Sequence, residues 1–473
     1  MSEDERKEGL LDVEGLKSDL DNHCLDSVHA KLDSTARAFA SEHTRSNVPP
    51  LILDALMDVV HVGVDLIKSE KDGTAKVLTE SFRTLRNACA GQVNTQNKLG
   101  SNKTLLEDTV KILEFAYASA DEQWIPCLQI GIQFLGNLIV KNEENQLRIW
   151  KKFSMLLLKF LQHENQKVAS YSSMVIYNVL LGHNQISEDI DAAGLEIIID
   201  RAINDCEFAS FIADMLVRRE GYLQSVYKEL QYKPRLFVLD AVFEAVGCKP
   251  GEIDEPGKLP TIQPDTILFL AEEFKRRSFF ILKTVDKYVD EIEPLEVAKL
   301  LEVIASASGK SPYLEELQKD KSLLIDCTFL LKSMHSLGQE GDNNFSVIQR
   351  LSELDLKGKD TALQQHPAFG FKVDLVRLMG NLCWKHKENQ HQVVELEGVQ
   401  LLLDCCKIDA RNPFVMQWAI LAIRNLCEDN KECQEVIAGM TKKGEIDAIT
   451  LNQIGLTLHS GADGGVGIAP LPR

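Results

Sequence analysis

The sequence predicts an all-α protein built from stacked helical repeats. Three observations predict it. Strand signals are scarce: alternating Val, Ile and Thr runs flanked by Asn-Gly or Asp-Gly turns hardly occur. One phrase recurs: RTLRNAC (83–89), QFLGNLI (133–139), RLMGNLC (377–383) and LAIRNLC (421–427). Its Asn is residue 87, 137, 381 and 425, and a Gln follows nine residues later in every copy (Gln96, Gln146, Gln390, Gln434). The third observation is the stretch from Phe414 to Glu428, apolar nearly all round, which must be covered on most sides. Stacked neighbouring repeats provide that cover, whereas a lone repeat does not.

The spacing sharpens the class. The first two Asn lie 50 residues apart and the last two 44. A weaker copy ends at Asn178, 41 residues after Asn137, with its Gln185 two positions early. A helical period of roughly 40–47 residues is the armadillo/HEAT signature. The expected architecture is an armadillo/HEAT-like right-handed α-solenoid of about eight repeats.

Element by element, residues 1–79 read as an N-terminal helical cap. Its main helix starts at Pro49-Pro50 and carries Leu51, Leu53 to Leu56, Val59, Val60 and Val64. Residues 80–246 read as N-terminal armadillo-like repeats. Residues 247–265 hold Pro250, Pro256, Pro260 and Pro264 and read as a loop or hinge. Residues 266–337 read as middle helical repeats, and the polar, Gly-punctuated 338–369 as a mobile loop. Residues 370–458 form the clearest repeats. There, Glu388 to Leu396 is a first helix, broken at Gly398. Val399 to Lys407 is a second, and Phe414 to Glu428 a third, opened by Asn412 as cap and Pro413 at the first helical position. The Gly-rich 459–473 reads as a disordered tail.

Composition excludes several functions. The chain of 473 residues carries 52 Lys and Arg against 71 Asp and Glu, a net charge of −19. Nucleic-acid binding needs a clustered basic face, and the densest run, Lys275-Arg276-Arg277, is short. An apolar content of 44 % argues for a folded chain. No window offers about 18 uncharged apolar residues, so no membrane insertion is expected. The charged start, Met1 to Glu8, has no apolar leader segment. Eleven Cys without such a leader predict reduced thiols and a cytoplasmic location. P-loop, HExxH, GxSxG and Rossmann motifs are missing, so neither an enzyme nor a cofactor is expected. His386, His391 and Cys383 have poor spacing for zinc. Cys89, Cys383 and Cys427 share a repeat position with Ile139 and read as core. Trp384 and Trp418 read as core or inter-repeat packing.

The recurrent Asn is a polar amide inside an apolar helix, so it must hydrogen-bond. It either ties down the loop after the third helix, together with the Gln, or faces a concave groove and bonds an extended ligand chain. Asn87, Asn137, Asn381 and Asn425 are therefore candidate partner-binding residues. Four residues earlier on the same helix face stand Arg83, Gln133, Arg377 and Leu421. Arg83 and Arg377 suit an acidic or phosphorylated segment, or else a solvated face or an inter-repeat salt bridge. Import receptors of the armadillo type place Trp at this position. This chain has none there, which disfavours a transport adaptor.

The segment from Arg377 to Ile437 resembles the C-terminal signature of the ataxin-10 family. LMGNLCWKHKENQ, the Asn412-Pro413-Phe414 turn and QWAILAIRNLCEDNKECQ carry the resemblance. FRTLRNACAGQVNTQN, GIQFLGNLIVKNEENQ and VASYSSMVIYN extend it to the N-terminal half. The resemblance implies a scaffold without catalysis. It implies links to neuronal survival and neurite outgrowth, to cytokinesis, to signalling proteins and to a glycosyltransferase. A perinuclear or midbody location is implied too. Homo-oligomer formation stays open, as does an armadillo-type G-protein regulator as the alternative function.

Overall fold

The computed structural model describes residues 11–204, 206–247, 261–285, 292–349, 366–439, 456–460 and 466–470. Among them, nine helices stack in one ladder. They are Leu25–Ala38, Thr74–Cys89, Ile125–Ile139, Gln166–Gly182, Glu207–Val217, Tyr232–Gly247, Ile292–Ala307, Phe371–Leu382 and Val415–Cys427. They are the third helices of the repeats. Second helices such as Pro50–Lys68, Lys103–Ala118, Glu143–Leu161 and Lys321–Gln339 cover one side of that ladder. One continuous core runs between the two layers, from Leu11 to Leu426. The fold is an all-α, armadillo-like solenoid. Its nine third helices exceed the eight repeats expected. Leu25–Ala38, in the segment read as a cap, and Tyr232–Gly247 carry no phrase yet stack like the rest.

Local chemistry sets the helix ends. Pro50 opens its helix at the first position, and Asn102, Asn142, Asn165, Asp191 and Asp320 cap theirs with side-chain oxygens. In the second copy of the phrase, Glu143–Leu161 has no Gly or Pro, so first and second helices fuse into one of 19 residues. The turn after each phrase is left-handed at the fourth residue beyond the Asn. These residues are Gly91 (φ 71°), Lys141 (φ 55°), Lys385 (φ 52°) and Asp429 (φ 54°). Only one is Gly, so the conserved turn geometry is invisible to a search for glycines.

The best sequence repeat differs in detail from the reading above. Its first helix ends at Glu395, and the left-handed residue is Glu397 (φ 58°), not Gly398. Gly398 is needed for space: a Cβ there would lie 2.8 Å from Val393 Cγ1. The third helix is Val415–Cys427, with Phe414 outside it at φ 69° and 70 % exposed. Asn412 does not cap that helix. Its Oδ1 accepts from the Lys372 backbone N–H at 3.1 Å, which ties the two last third helices together. Gly380 makes the contact between them intimate. A Cβ there would sit 2.8 Å from Ala422 Cβ and 2.9 Å from Ala422 Cα.

Two expected irregular regions are partly ordered. In 338–369, the segment 342–349 is pinned, although 350–365 lies outside the described residues. Phe345 is buried. Asn344 donates from its backbone to the Val285 carbonyl at 2.9 Å, and Arg411 Nη1 donates to the Ser346 carbonyl at 2.7 Å. An aromatic anchor and a long cation outweigh the polar composition. In the tail, Leu456–Ser460 and Val466–Pro470 pair as an antiparallel hairpin with Leu458 opposite Ile468. The alternation of Leu456 and Leu458 with Thr457 and His459 is the strand period that the glycines masked. Of the proposed 247–265 hinge, 248–260 lies outside the described residues, and Pro264 opens the helix Pro264–Arg277.

Candidate functional site

Helix carbonyls at a C-terminus lack intrahelical partners and must be satisfied. The recurrent Asn does this for the preceding repeat. Asn87 Nδ2 donates to the Ala36 carbonyl at 2.9 Å, Asn137 Nδ2 to Arg86 at 2.9 Å and Asn425 Nδ2 to Gly380 at 2.9 Å. Asn381 donates at 3.0 Å to the Ser308 hydroxyl, which donates in turn to the Ala305 carbonyl. Each Asn thus joins two third helices, a partner that neither sequence alternative contained. The reading that Asn and Gln bond the same loop backbone is corrected by this. The Gln serves that loop in three copies: Gln146 Nε2 reaches the Ile139 carbonyl at 3.1 Å, Gln390 Nε2 Cys383 at 3.1 Å and Gln434 Nε2 Cys427 at 2.8 Å, whereas Gln96 Nε2 reaches into the next repeat, to the Asn137 carbonyl at 2.8 Å.

Sequence reasoning missed the Asn just before the Gln. Asn145 Nδ2 bonds the Gln96 carbonyl at 2.8 Å and Leu138 at 3.0 Å, and Asn389 Nδ2 bonds Leu382 at 2.9 Å. Both are buried. The repeated ENQ triplet was the available signal. Asn178, in the weaker copy, is different. It is half-buried, and its side chain makes no hydrogen bond among the described residues.

The two arginines four before the Asn diverge. Arg83 pairs with Glu80, whose carboxylate is buried. Arg377 lies over the Trp418 ring at 5.0 Å, and its buried Nε has no partner among the described residues. One turn earlier, burial pushes the Asp374 carboxyl up to about 6, with the Glu302 charge adding and Arg377 opposing. Lys299 bridges Glu302 at 3.1 Å and Asp240 at 2.8 Å. Trp418 is thus an inter-repeat contact. Trp384 is not packed as expected: it sits in a turn, 43 % exposed, with Lys385 Nζ 4.8 Å above its ring.

Cys89 and Cys383 are buried, and burial raises both thiols above their ordinary range. His386 accepts from the Asn389 backbone at 3.3 Å, and His391 pairs with Glu432 at 2.7 Å. Among the described residues, no three His, Cys, Asp or Glu lie close enough to hold a metal, and no helix is long and apolar enough to cross a membrane. A cavity of about 400 Å³ lies between Lys321–Gln339 and Gly398–Asp404. Its Lys372 and Asp409 neutralise each other at 3.4 Å, and its Lys407 pairs with Asp404 at 3.2 Å.

Residues 371–469 match the spinocerebellar ataxia type 10 protein domain. Ataxin-10 of Xenopus tropicalis is 33 % identical over 396 residues, covering 81 % of this chain and 79 % of the relative. Human ataxin-10 is 31 % identical over 444 residues, covering 89 % and 90 %. The chain belongs to the ataxin-10 family. A Dictyostelium discoideum ataxin-10 homolog is 38 % identical over 104 residues, 22 % of this chain and 17 % of that one. Likeness to solved structures is slight. An engineered protein aligns with 85 % of this chain and 98 % of its own at TM-score 0.33 and 15 % identity. A structure described by the interaction of cadherin and β-catenin aligns with 89 % and 71 % at TM-score 0.29 and 13 % identity.

Proposed function

We propose that this ataxin-10 family member is a non-enzymatic scaffold that binds segments of protein partners on its third-helix ladder. One observation carries the reading: nine third helices stack without a gap, and the second helices cover only one side of them. The uncovered side offers Arg83, Arg377 and the half-buried Asn137 and Asn381. One N–H of each of these amides, and of those of Asn87 and Asn425, serves the joints between repeats, which leaves a second N–H and, except at Asn87, the side-chain oxygen. The settings we propose for it are those the family resemblance implies: signalling assemblies, a glycosyltransferase partner, cytokinesis and neurite outgrowth, in the cytoplasm, at the nuclear periphery or at the midbody.

Affinity purification from native cells tests this, with Arg83→Glu and Arg377→Glu on the third-helix side and Met155→Glu on the other. Met155 is 79 % exposed on a second helix. Arg83→Glu is expected to lose partners about tenfold, the worth of one charge-assisted contact, Arg377→Glu to lose those partners seated at the other end of the ladder, and Met155→Glu to keep them all. Equal recovery by all three would sink the reading. The rival, an armadillo-type G-protein regulator, predicts accelerated nucleotide release from a purified G protein, which the scaffold does not.

A further inference from the structure

The N-terminal part of the ladder carries a charge imbalance. Arg83 and Arg86 stand one turn apart on Thr74–Cys89. Arg83 takes the buried Glu80. Arg86 is half-buried and has no carboxylate within ion-pair distance among the described residues. Its Nε and Nη2 donate to Asn87 Oδ1 at 3.2 and 3.0 Å, and its Nη1 donates to Gln133 Oε1. Every acceptor it has is a neutral amide. Burial and the neighbouring Arg83 pull its guanidinium below the ordinary range. One carboxylate therefore serves two arginines, at a depth where a charge calls for a counter-ion.

Further along the same surface lies an aromatic cluster. Tyr177 packs against Phe208 and Phe211 with ring centroids 5.7 and 6.0 Å away, and Phe211 is 42 % exposed. Asn178, whose side chain makes no hydrogen bond among the described residues, adjoins Tyr177. Gln133 and Met174 lie between the arginines and the aromatics. Three helix spacings separate Arg86 from Phe211. At roughly 9 Å each that is about 27 Å, and an extended chain covers it in about eight residues.

We propose that this stretch holds an extended acidic peptide segment of a protein partner. An Asp or Glu of the segment pairs with Arg83 and Arg86, its backbone bonds the Asn178 amide, and an apolar side chain about eight residues away rests on Tyr177 and Phe211. The proposal rests on the ladder being the protein-binding side. The other end of the ladder does not suit such a segment, because Asp374 and Glu302 stand beside Arg377 there.

Panning a random peptide-display library of about twelve residues, long enough for the eight-residue span, against the full chain tests it. The selected pool should be richer in Asp and Glu than the input. Synthetic peptides from the pool, read by fluorescence anisotropy, should bind Arg83→Gln/Arg86→Gln at least about tenfold more weakly, and Arg377→Gln with unchanged affinity. Gln133→Glu is a second variant that keeps the fold by supplying Arg86 with an internal carboxylate, and it should weaken the same peptides. Thermal unfolding verifies that each variant is folded. A pool no more acidic than the input, or a basic one, overturns the proposal. So does binding only after phosphoserine replaces the acid. If peptides ignore the arginine pair but respond to other third-helix substitutions, this proposal fails and the ladder reading stands. If no third-helix substitution moves binding, both fail.

Discussion

The repeats at the two ends of the molecule and those in its middle satisfy the same helix termini by different chemistry. At the ends, an Asn amide bonds the carbonyl of the previous third helix, as at Asn87, Asn137 and Asn425. In the middle, arginine replaces it. Arg219 Nη2 donates to the Leu180 carbonyl at 2.8 Å, at the end of the third helix Gln166–Gly182, and Arg201 does the like for a second helix, its Nη2 donating at 2.7 Å to the His163 carbonyl just beyond Glu143–Leu161. Beyond them a buried ionic cluster binds Tyr227, Tyr232–Gly247, Pro264–Arg277 and Ile292–Ala307. Glu296 accepts from the Tyr227 hydroxyl at 2.9 Å, from Arg235 at 3.1 Å and from Arg277. Glu273 pairs with Arg277 at 3.0 Å and with Arg276. The lesson is that stacking conserves the demand for hydrogen bonds and leaves the residue that meets it free to change.

The contrast can be broken most sharply at Glu296, which is 1 % exposed. Glu296→Gln leaves Arg235 and Arg277 facing a neutral amide and should cost about 3–5 kcal/mol. Urea unfolding should show it as an early transition of the middle helices, and a shift under about 1 kcal/mol would contradict the role given to the cluster. Asn425→Ala comes next. It strands the buried Gly380 carbonyl and should cost about 1–3 kcal/mol in the same measurement.

Asp374 gives a smaller, pH-dependent effect. Its carboxyl is raised in the folded state to about 6 from 3.8, so the native chain holds a proton that the unfolded chain releases. Stability from this group is therefore lost as pH rises between about 4 and 6, and the full penalty remains above that. Asp374→Asn should match the wild type near pH 4 and exceed it by on the order of 1–2 kcal/mol at pH 7. An equal difference at both pH values would refute the assignment. The smallest effect is expected at Asn178→Ala. With no hydrogen bond to lose, its unfolding midpoint should correspond to a change within about 0.5 kcal/mol, in contrast to Asn425→Ala.

The same contrast explains how far the sequence could be read. The solenoid was legible at the ends because Asn and Gln recur at fixed spacing where one solution repeats. It was illegible around Arg201, Arg219 and Glu296, where each joint uses its own residues and no period survives. Within the surface, Arg83 and Arg377 were visible as repeat positions. That one takes a carboxylate and the other an indole ring depends on residues three and 41 positions away, Glu80 and Trp418. The Asn was recognised as needing a bond, yet its acceptor lies in the neighbouring repeat, which spacing alone does not identify. Arg86 went unnoticed because its importance comes from a missing counter-charge.

The bend of a repeat array is the accumulated sum of small rotations at its joints. At Gly380 that rotation is set by contact with the Ala422 backbone, and a backbone cannot swing aside. At Gly136, the same phrase position, an added Cβ would press on the tip of Met174 at 3.3 Å and make an ordinary contact with Val175 Cγ2 at 3.6 Å, touching no backbone. One methyl group at the first site would therefore tilt everything beyond Phe371–Leu382, whereas at the second a side chain would absorb it. The curvature of this molecule is written in part as an absence of one carbon atom.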